Sequence, residues 1–176
     1  VLITPPGSSI NGIADLAGKR MGVAGGGLDK NWLMLRALAK DKYGLDLEKA
    51  ATVVFGAPPL LNEQLQQGKL DALLDYWHFA AKLETKGFSS LLTGQDLMRQ
   101  LGVKASVPSL GYVFKESWGN RQRPTLDGFL TAAREAKRLL CESDDAWNRV
   151  KPLTQEADPA VLASLRRNYC AGRVQH

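Results

Sequence analysis

Apolar positions in the first hundred residues follow two periods in turn. Met21 to Ala24 is a short apolar run that enters three glycines, Gly25, Gly26 and Gly27. Leu28, Trp32, Leu35 and Ala39 then recur at helical spacing, with Lys30, Arg36 and Lys40 mostly elsewhere. The spacing predicts a buried strand, a glycine turn and an amphipathic helix that ends near Tyr43-Gly44. A second cycle follows: β-branched Thr52 to Phe55, the turn Gly56-Ala57-Pro58-Pro59, and a helix carrying Leu60, Leu61 and Leu65 that Gly68 stops. The third runs from Leu70 to Leu74 through Asp75-Tyr76-Trp77-His78-Phe79 into a helix ending at Lys86. The apolar Phe88 to Leu92 and a short helix near Gln95 to Leu101 complete it. Ahead of these cycles, Val1-Leu2-Ile3 reads as the end of a strand or an extended crossover, and Pro5 to Ser9 as a break. Asn11 is expected to cap a short helix through Leu16, with Gly18 as its stop.

Strands and helices alternating at these lengths predict an α/β fold: right-handed, Rossmann-like βαβ units with a mainly parallel sheet. Ligands of such sheets bind beyond the carboxyl ends of the strands. The turns Gly25–Asp29, Gly56–Pro59 and Asp75–His78 are all expected to open on that one edge. After Gly102 the character changes. Val107 to Phe114 reads as extended, and the remainder as helical. Leu126, Phe129, Leu130, Ala133 and Leu140 form an apolar stripe. Asp158-Pro159 suits the cap and first turn of a last helix with Val161, Leu165 and Tyr169 inward. A composition shift over Ser106 to Tyr112 suggests a hinge. The expected divisions are a crossover over 1–8, an α/β lobe over 9–106 and a crossover with C-terminal helices over 107–176.

A chain of 176 residues, 44% hydrophobic and 23% charged, buries a sizeable core as one domain or two small ones. No run of 18 apolar residues is present, so no transmembrane helix is expected, and no basic-then-apolar signal segment is visible in this chain. The net charge of +5 is scattered, with short clusters such as Arg121-Gln122-Arg123 and Arg166-Arg167. A nucleic-acid binder would show a basic stripe interleaved with aromatics, so no nucleic-acid partner is expected. Cys141 and Cys170 leave two readings open, small buried hydrophobes or one disulfide in an oxidising compartment.

The candidate chemistry lies in the three turns. Gly25, Gly26 and Gly27 with Leu28 and Asp29 lead into a helix N-terminus whose free N–H groups suit a phosphate, sulfonate or carboxylate. No Gly-Lys-Ser/Thr follows, so this is no Walker loop, and the G-x-G-x-x-G spacing is absent. Trp32 on the first helical turn and Ala57 and Pro58 in the second turn are expected to line the same crevice. In the third turn, Tyr76 or Trp77 suits stacking on a planar or apolar ligand, and Asp75 or His78 the orientation of polar groups. The plainer alternatives are a tight turn with nothing bound, and aromatics that pack the following helix while His78 caps it. No G-x-S-x-G exists, and the histidines are His78 and His176 alone. Hydrolytic triads, metal sites and cofactors are therefore not expected.

Ile10-Asn11-Gly12-Ile13-Ala14-Asp15-Leu16-Ala17-Gly18-Lys19-Arg20-Met21-Gly22-Val23 resembles the signature that opens the second lobe of type II periplasmic solute-binding proteins. Leu65-Gln66-Gln67-Gly68-Lys69-Leu70-Asp71-Ala72 resembles the segment that leads into a later strand of that lobe. The branch it resembles is the nitrate, sulfonate, taurine and thiamine-precursor group of ABC importers. The resemblance runs from about Pro5 to Val113. It implies a type II periplasmic-binding-protein-like fold whose second lobe and helical C-terminal return lie in this chain, with the first lobe ahead of Val1. It also implies a non-enzymatic binder that holds a small-molecule ligand between two lobes and hands it to ABC permease subunits. Crossover hinges are expected near Thr4–Gly7 and Ser106–Tyr112, in a periplasmic or lipid-anchored extracellular protein. The competing expectations are an enzyme on the same fold, with His78 and Asp75 as its acid–base pair, and a ligand-sensing domain. A chain truly lacking the first lobe is expected to expose apolar surface and form a homodimer.

Overall fold

The computed structural model describes residues 1–105, 107–108 and 110–173. The chain divides into two units, Val1–Ser106 and Val107–His176. The first holds a five-stranded sheet of β1 (Leu2–Thr4), β2 (Arg20–Ala24), β3 (Thr52–Gly56), β4 (Ala72–Leu74) and β5 (Ser89–Leu92). Their spatial order is β3-β2-β4-β1-β5. β2 pairs in parallel with β3, in register Met21↔Val53, and with β4, in register Met21↔Ala72. β1 runs antiparallel to both β4 and β5. Four strands therefore share one direction and β1 opposes them, which is the mainly parallel sheet expected, with one reversed strand.

The central strands β2 and β4 read as nearly unbroken apolar runs because both their faces are covered. Met21, Val23, Ala24, Ala72, Leu73 and Leu74 are all buried. Successive side chains go to opposite faces. Leu2, Met21, Val23, Ala72 and Leu74 join Trp32, Leu35, Leu38 and Leu97 in one core. Ile3, Ala24 and Leu73 join Leu61, Leu65, Ala80 and Leu83 in the other. Helices α1 (Lys30–Tyr43) and α5 (Gly94–Gln100) thus cover one face, and α3 (Pro58–Gln66) and α4 (Trp77–Glu84) the other. Each fully buried leucine contributes about 1.5–3 kcal/mol. Gly22 leaves room for the leucines at the centre, since a Cβ there would sit 2.8 Å from Leu70 Cδ1 and 2.9 Å from Leu73 Cδ1 and would force them to shift.

Several boundaries differ from the sequence expectation. Asn11 does not cap the first turn: Ile13–Leu16 is a 3₁₀ turn, and Asp15 Oδ2 reaches back to accept from the N–H of Asn11 (2.8 Å) and Gly12 (3.1 Å). β4 begins at Ala72 rather than Leu70, because Asp71 turns its carboxylate to Arg20 instead. It accepts from Arg20 Nη2 at 2.6 Å and from the Arg20 backbone N–H at 2.8 Å. A one-turn helix α2 (Leu47–Ala50) precedes β3 and carries too short a pattern to be read from sequence. Leu28 lies outside α1 and is 88% exposed, so the buried stripe runs instead through Trp32, Leu35, Leu38 and Ala39. Gly44 closes α1 in the left-handed region at φ 64°, donating to Ala39 and Lys40 carbonyls.

The second unit is helical: α6 (Glu116–Arg121), α7 (Arg123–Glu142), α8 (Asp144–Val150), a 3₁₀ turn over Lys151–Thr154, and α9 (Pro159–Ala171). Asp158 caps α9 as expected, accepting from the Ala160 N–H at 2.8 Å. Val161 and Leu165 are buried. The α7 stripe is only partly inward: Leu126 is buried, whereas Phe129 is half-exposed and meets the ring of Tyr112 edge-on at 4.8 Å. Cys141 and Cys170 are joined in a disulfide, with Cα atoms 5.7 Å apart, which decides between the two readings. Arg166 reinforces the junction by donating to the carbonyls of Leu140 (3.2 Å) and Cys141 (3.1 Å) and to Asp144 Oδ1 (2.5 Å). Of the extended segment and hinge expected after Lys104, Ser106 and Ser109 lie outside the described residues, and the described ones form no strand.

Candidate functional site

The three strand-to-helix turns do meet on one edge of the sheet. Gly25, at φ +94°, donates its N–H to the Gly56 carbonyl at 3.0 Å, tying the first turn to the second. A Cβ on Gly25 would lie 2.9 Å from the Tyr76 hydroxyl, so the first turn also abuts the third. The positive φ favours glycine here, and a side chain would also displace the Tyr76 hydroxyl. Gly26, half-buried, and Gly27, exposed, complete the turn, and a Cβ on Gly27 would sit 3.8 Å from the Phe55 ring.

Two expectations about the first turn are corrected. Asp29 Oδ1 accepts from the N–H groups of Asn31 (2.9 Å) and Trp32 (3.1 Å), so these helix-terminal donors are already satisfied rather than free for an anion. Trp32 is wholly buried and belongs to the core, because its position on α1 faces the sheet. Its ring meets Phe55 edge-on at 6.1 Å and lies 5.8 Å from the Arg36 guanidinium. The Trp32 Nε1 is a buried donor with no hydrogen-bond partner among the described residues.

In the second turn Ala57 is exposed as the residue preceding α3, and Pro58 occupies the first helical position. In the third, Asp75 is only 2% exposed, which corrects the expectation that it orients a ligand directly. Its carboxylate accepts from Asn62 Nδ2 at 2.5 Å and from the Tyr76 N–H at 2.8 Å. Burial raises its affinity for a proton above that of an ordinary aspartate, while the Asn62 amide and the Tyr76 N–H oppose that shift. Asp75 and Val1 also exchange two backbone hydrogen bonds, 2.8 and 2.6 Å long. With its oxygens committed in this way, Asp75 makes no hydrogen bond to His78 among the described residues.

Tyr76, Trp77 and His78 remain at the surface, Trp77 being 44% exposed. His78 lies within an aromatic group, stacked on Tyr76 (6.3 Å) and edge-on to Trp77 (5.6 Å). Leu28, Phe55 and Leu60 add exposed apolar surface to the same turns. Sequence reading missed Phe55 and Asn62. For Asn62 the signal was there: an amide between Leu61 and Leu65 on the buried face of α3 needs a partner. Phe55 carried none, since a β-branched run predicts a strand without saying which of its residues stands at the rim.

Gly25, Tyr76, Trp77 and His78 are all exposed along this edge. Two cavities lie elsewhere: one of about 680 Å³ in the second unit, bordered by Cys141, Trp147, Lys151, Leu162, Arg166 and Arg167, and one of about 350 Å³ beside α1 and α2. No trio of metal-ligating side chains occurs among the described residues, and none of their helices is long and apolar enough to cross a membrane.

A mixed sheet sandwiched by helices, with its strand-to-helix turns gathered on one edge, is an α/β fold of the kind found in periplasmic binding proteins, as the following structures show. Solved structures share it. The periplasmic aliphatic sulphonate binding protein SsuA from Escherichia coli matches with a TM-score of 0.76 at 21% identity, over 96% of this chain and 51% of its own. The alkanesulfonate-binding protein SsuA from Xanthomonas axonopodis pv. citri, bound to MOPS, matches with a TM-score of 0.62 at 21% identity, over 95% and 54%. The chain thus spans about half the length of these relatives. It belongs to the NMT1/THI5-like family, whose model matches residues 1–146. Among curated proteins no sequence matches.

Proposed function

We propose that this chain supplies one wall of the ligand crevice in the solute-binding component of an ABC importer. The observation that carries the reading is the meeting of the three turns, fixed by the Gly25–Gly56 hydrogen bond and the Gly25–Tyr76 approach. Tyr76 and Trp77 stand on that edge beside Phe55, so it suits a small solute with an apolar or planar part and a polar or anionic head. Sulfonates, nitrate and pyrimidine-like precursors are the classes to test. His78, exposed on the third turn, offers a ring N–H donor that suits the anionic end. The likeness to two sulfonate-binding proteins supports the class and leaves the particular solute to experiment.

In this reading the solute is held between this edge and a second lobe, which close on hinges near Thr4–Gly7 and Ser106–Tyr112. The closed form is handed to permease subunits, and no chemistry is done on the solute. The Cys141–Cys170 disulfide favours an oxidising compartment, in keeping with a periplasmic or lipid-anchored extracellular protein.

Thermal-shift measurements against alkanesulfonates, nitrate, carboxylates and pyrimidine precursors test the proposal. A ligand that binds only the folded state stabilises it by about 2.7 kcal/mol at a hundredfold excess over Kd. The expected result is a shift with one of these classes that Trp77→Ala abolishes, the compound being recovered unchanged. A compound that is consumed would move the reading to an enzyme, and the absence of any shift would remove the crevice.

A further inference from the structure

Asn62 joins the second turn to the third. Its Nδ2 donates to the Pro58 carbonyl at 2.7 Å, at the start of α3, and to the Asp75 carboxylate at 2.5 Å, at the end of β4. Both side chains are buried, Asn62 at 8% and Asp75 at 2% exposure. The other carboxylate oxygen accepts from the Tyr76 N–H at 2.8 Å, and the Tyr76 carbonyl accepts from Phe79 and Ala80, the first bonds of α4. The first turn of α4 is therefore held by this buried amide–carboxylate contact together with the two backbone bonds between Asp75 and Val1. A buried carboxylate costs stability unless its oxygens are hydrogen-bonded, as both are here. What the polar pair provides is direction, since its bonds fix the backbone at residue 76 in one orientation.

Building on the proposed function, we infer that Asn62 and Asp75 are positioning residues. They set Tyr76 and Trp77 on the ligand edge without touching the solute themselves. Solute affinity then depends on Asn62 through Trp77, although Asn62 is sealed from the surface.

The test uses the full chain labelled with 5-fluorotryptophan, in which Trp32, Trp77, Trp118 and Trp147 give four resonances. The probe is MOPS. Asn62→Leu is expected to move the Trp77 resonance and to speed hydrogen exchange at the Tyr76 amide, while Trp32 and Trp147 stay in place. MOPS binding should weaken about fivefold, and in a Trp77→Ala background the same substitution should cost no more than about 1.5-fold, the mark of coupled sites. An unmoved Trp77 resonance, or losses that multiply in the double variant, overturns the inference. If MOPS binds neither this chain nor this chain joined to its second lobe, the sulfonate class in the proposed function fails, and the fluorine and exchange measurements still decide the positioning role. Should Asn62→Leu disturb all four resonances, Asp75→Asn is read by the same criteria. It keeps the side-chain shape and an acceptor for Tyr76 while setting one amide against another.

Discussion

Cys141 and Cys170 lie 29 residues apart in sequence and join the end of α7 to the end of α9. Replacing both by alanine frees that loop in the unfolded chain. For a closed loop of this length the chain-entropy relation gives about 12 cal/mol/K, or about 3.6 kcal/mol at 25 °C. Arg166 survives the substitution with its bonds to the Leu140 and Cys141 carbonyls and to Asp144, so the helix junction retains a local tie. The loss should therefore be confined to the second unit and amount to about 3–4 kcal/mol. For a segment of this size that corresponds to a fall of about 15–25 °C in its Tm. Native-state hydrogen exchange is the appropriate assay because it reads each helix separately. Amides of α7 and α9 should lose protection by that amount, while those of β2 and α1 keep theirs. A loss below about 1 kcal/mol, or equal losses in both units, would refute the reasoning.

Gly25→Ala places a side chain at φ +94° and 2.9 Å from the Tyr76 hydroxyl, and should destabilise by about 1–3 kcal/mol in urea unfolding. Asp75 gives a pH signature. Its folded carboxyl holds a proton more tightly than in the unfolded chain, so its stabilising contribution is full below the ordinary value of 3.8 and is lost as pH rises through the raised folded value. Asp75→Asn removes that dependence, and its stability relative to the unaltered chain should therefore climb in denaturant titrations as pH rises from the ordinary value of 3.8 through the raised folded value; a flat difference would count against the burial argument. Asp71, held low by Arg20, acts in the opposite sense, and its contribution is lost as pH falls. Arg20→Ala should lower stability only slightly near neutrality, since the pair is largely exposed, and should flatten the acid loss that Asp71 contributes.

The periodicity of the chain determined the strand–turn–helix cycles, because burial on one helical stripe or along a strand is a local property that spacing records directly. It placed β2, β3, β4 and the turns after them, and thereby the edge on which the candidate site lies. The glycine at position 25 was legible for the same reason, since a positive φ is a demand on one residue. Which way each side chain of that edge faces was not legible. Asp75 and Trp32 read as crevice residues, yet the pairing of β4 with β1 and the seating of α1 on the sheet bury both. The buried face of α3 signalled that the Asn62 amide needs a partner, but only the fold showed that partner to be Asp75, 2.5 Å away. The reversal of β1 and the bridge between Cys141 and Cys170 likewise depend on partners far away in sequence. Local spacing fixes what a residue prefers to do with its own neighbours; a contact between distant residues forms only where the whole fold can bring the two together, and that is decided by packing in three dimensions.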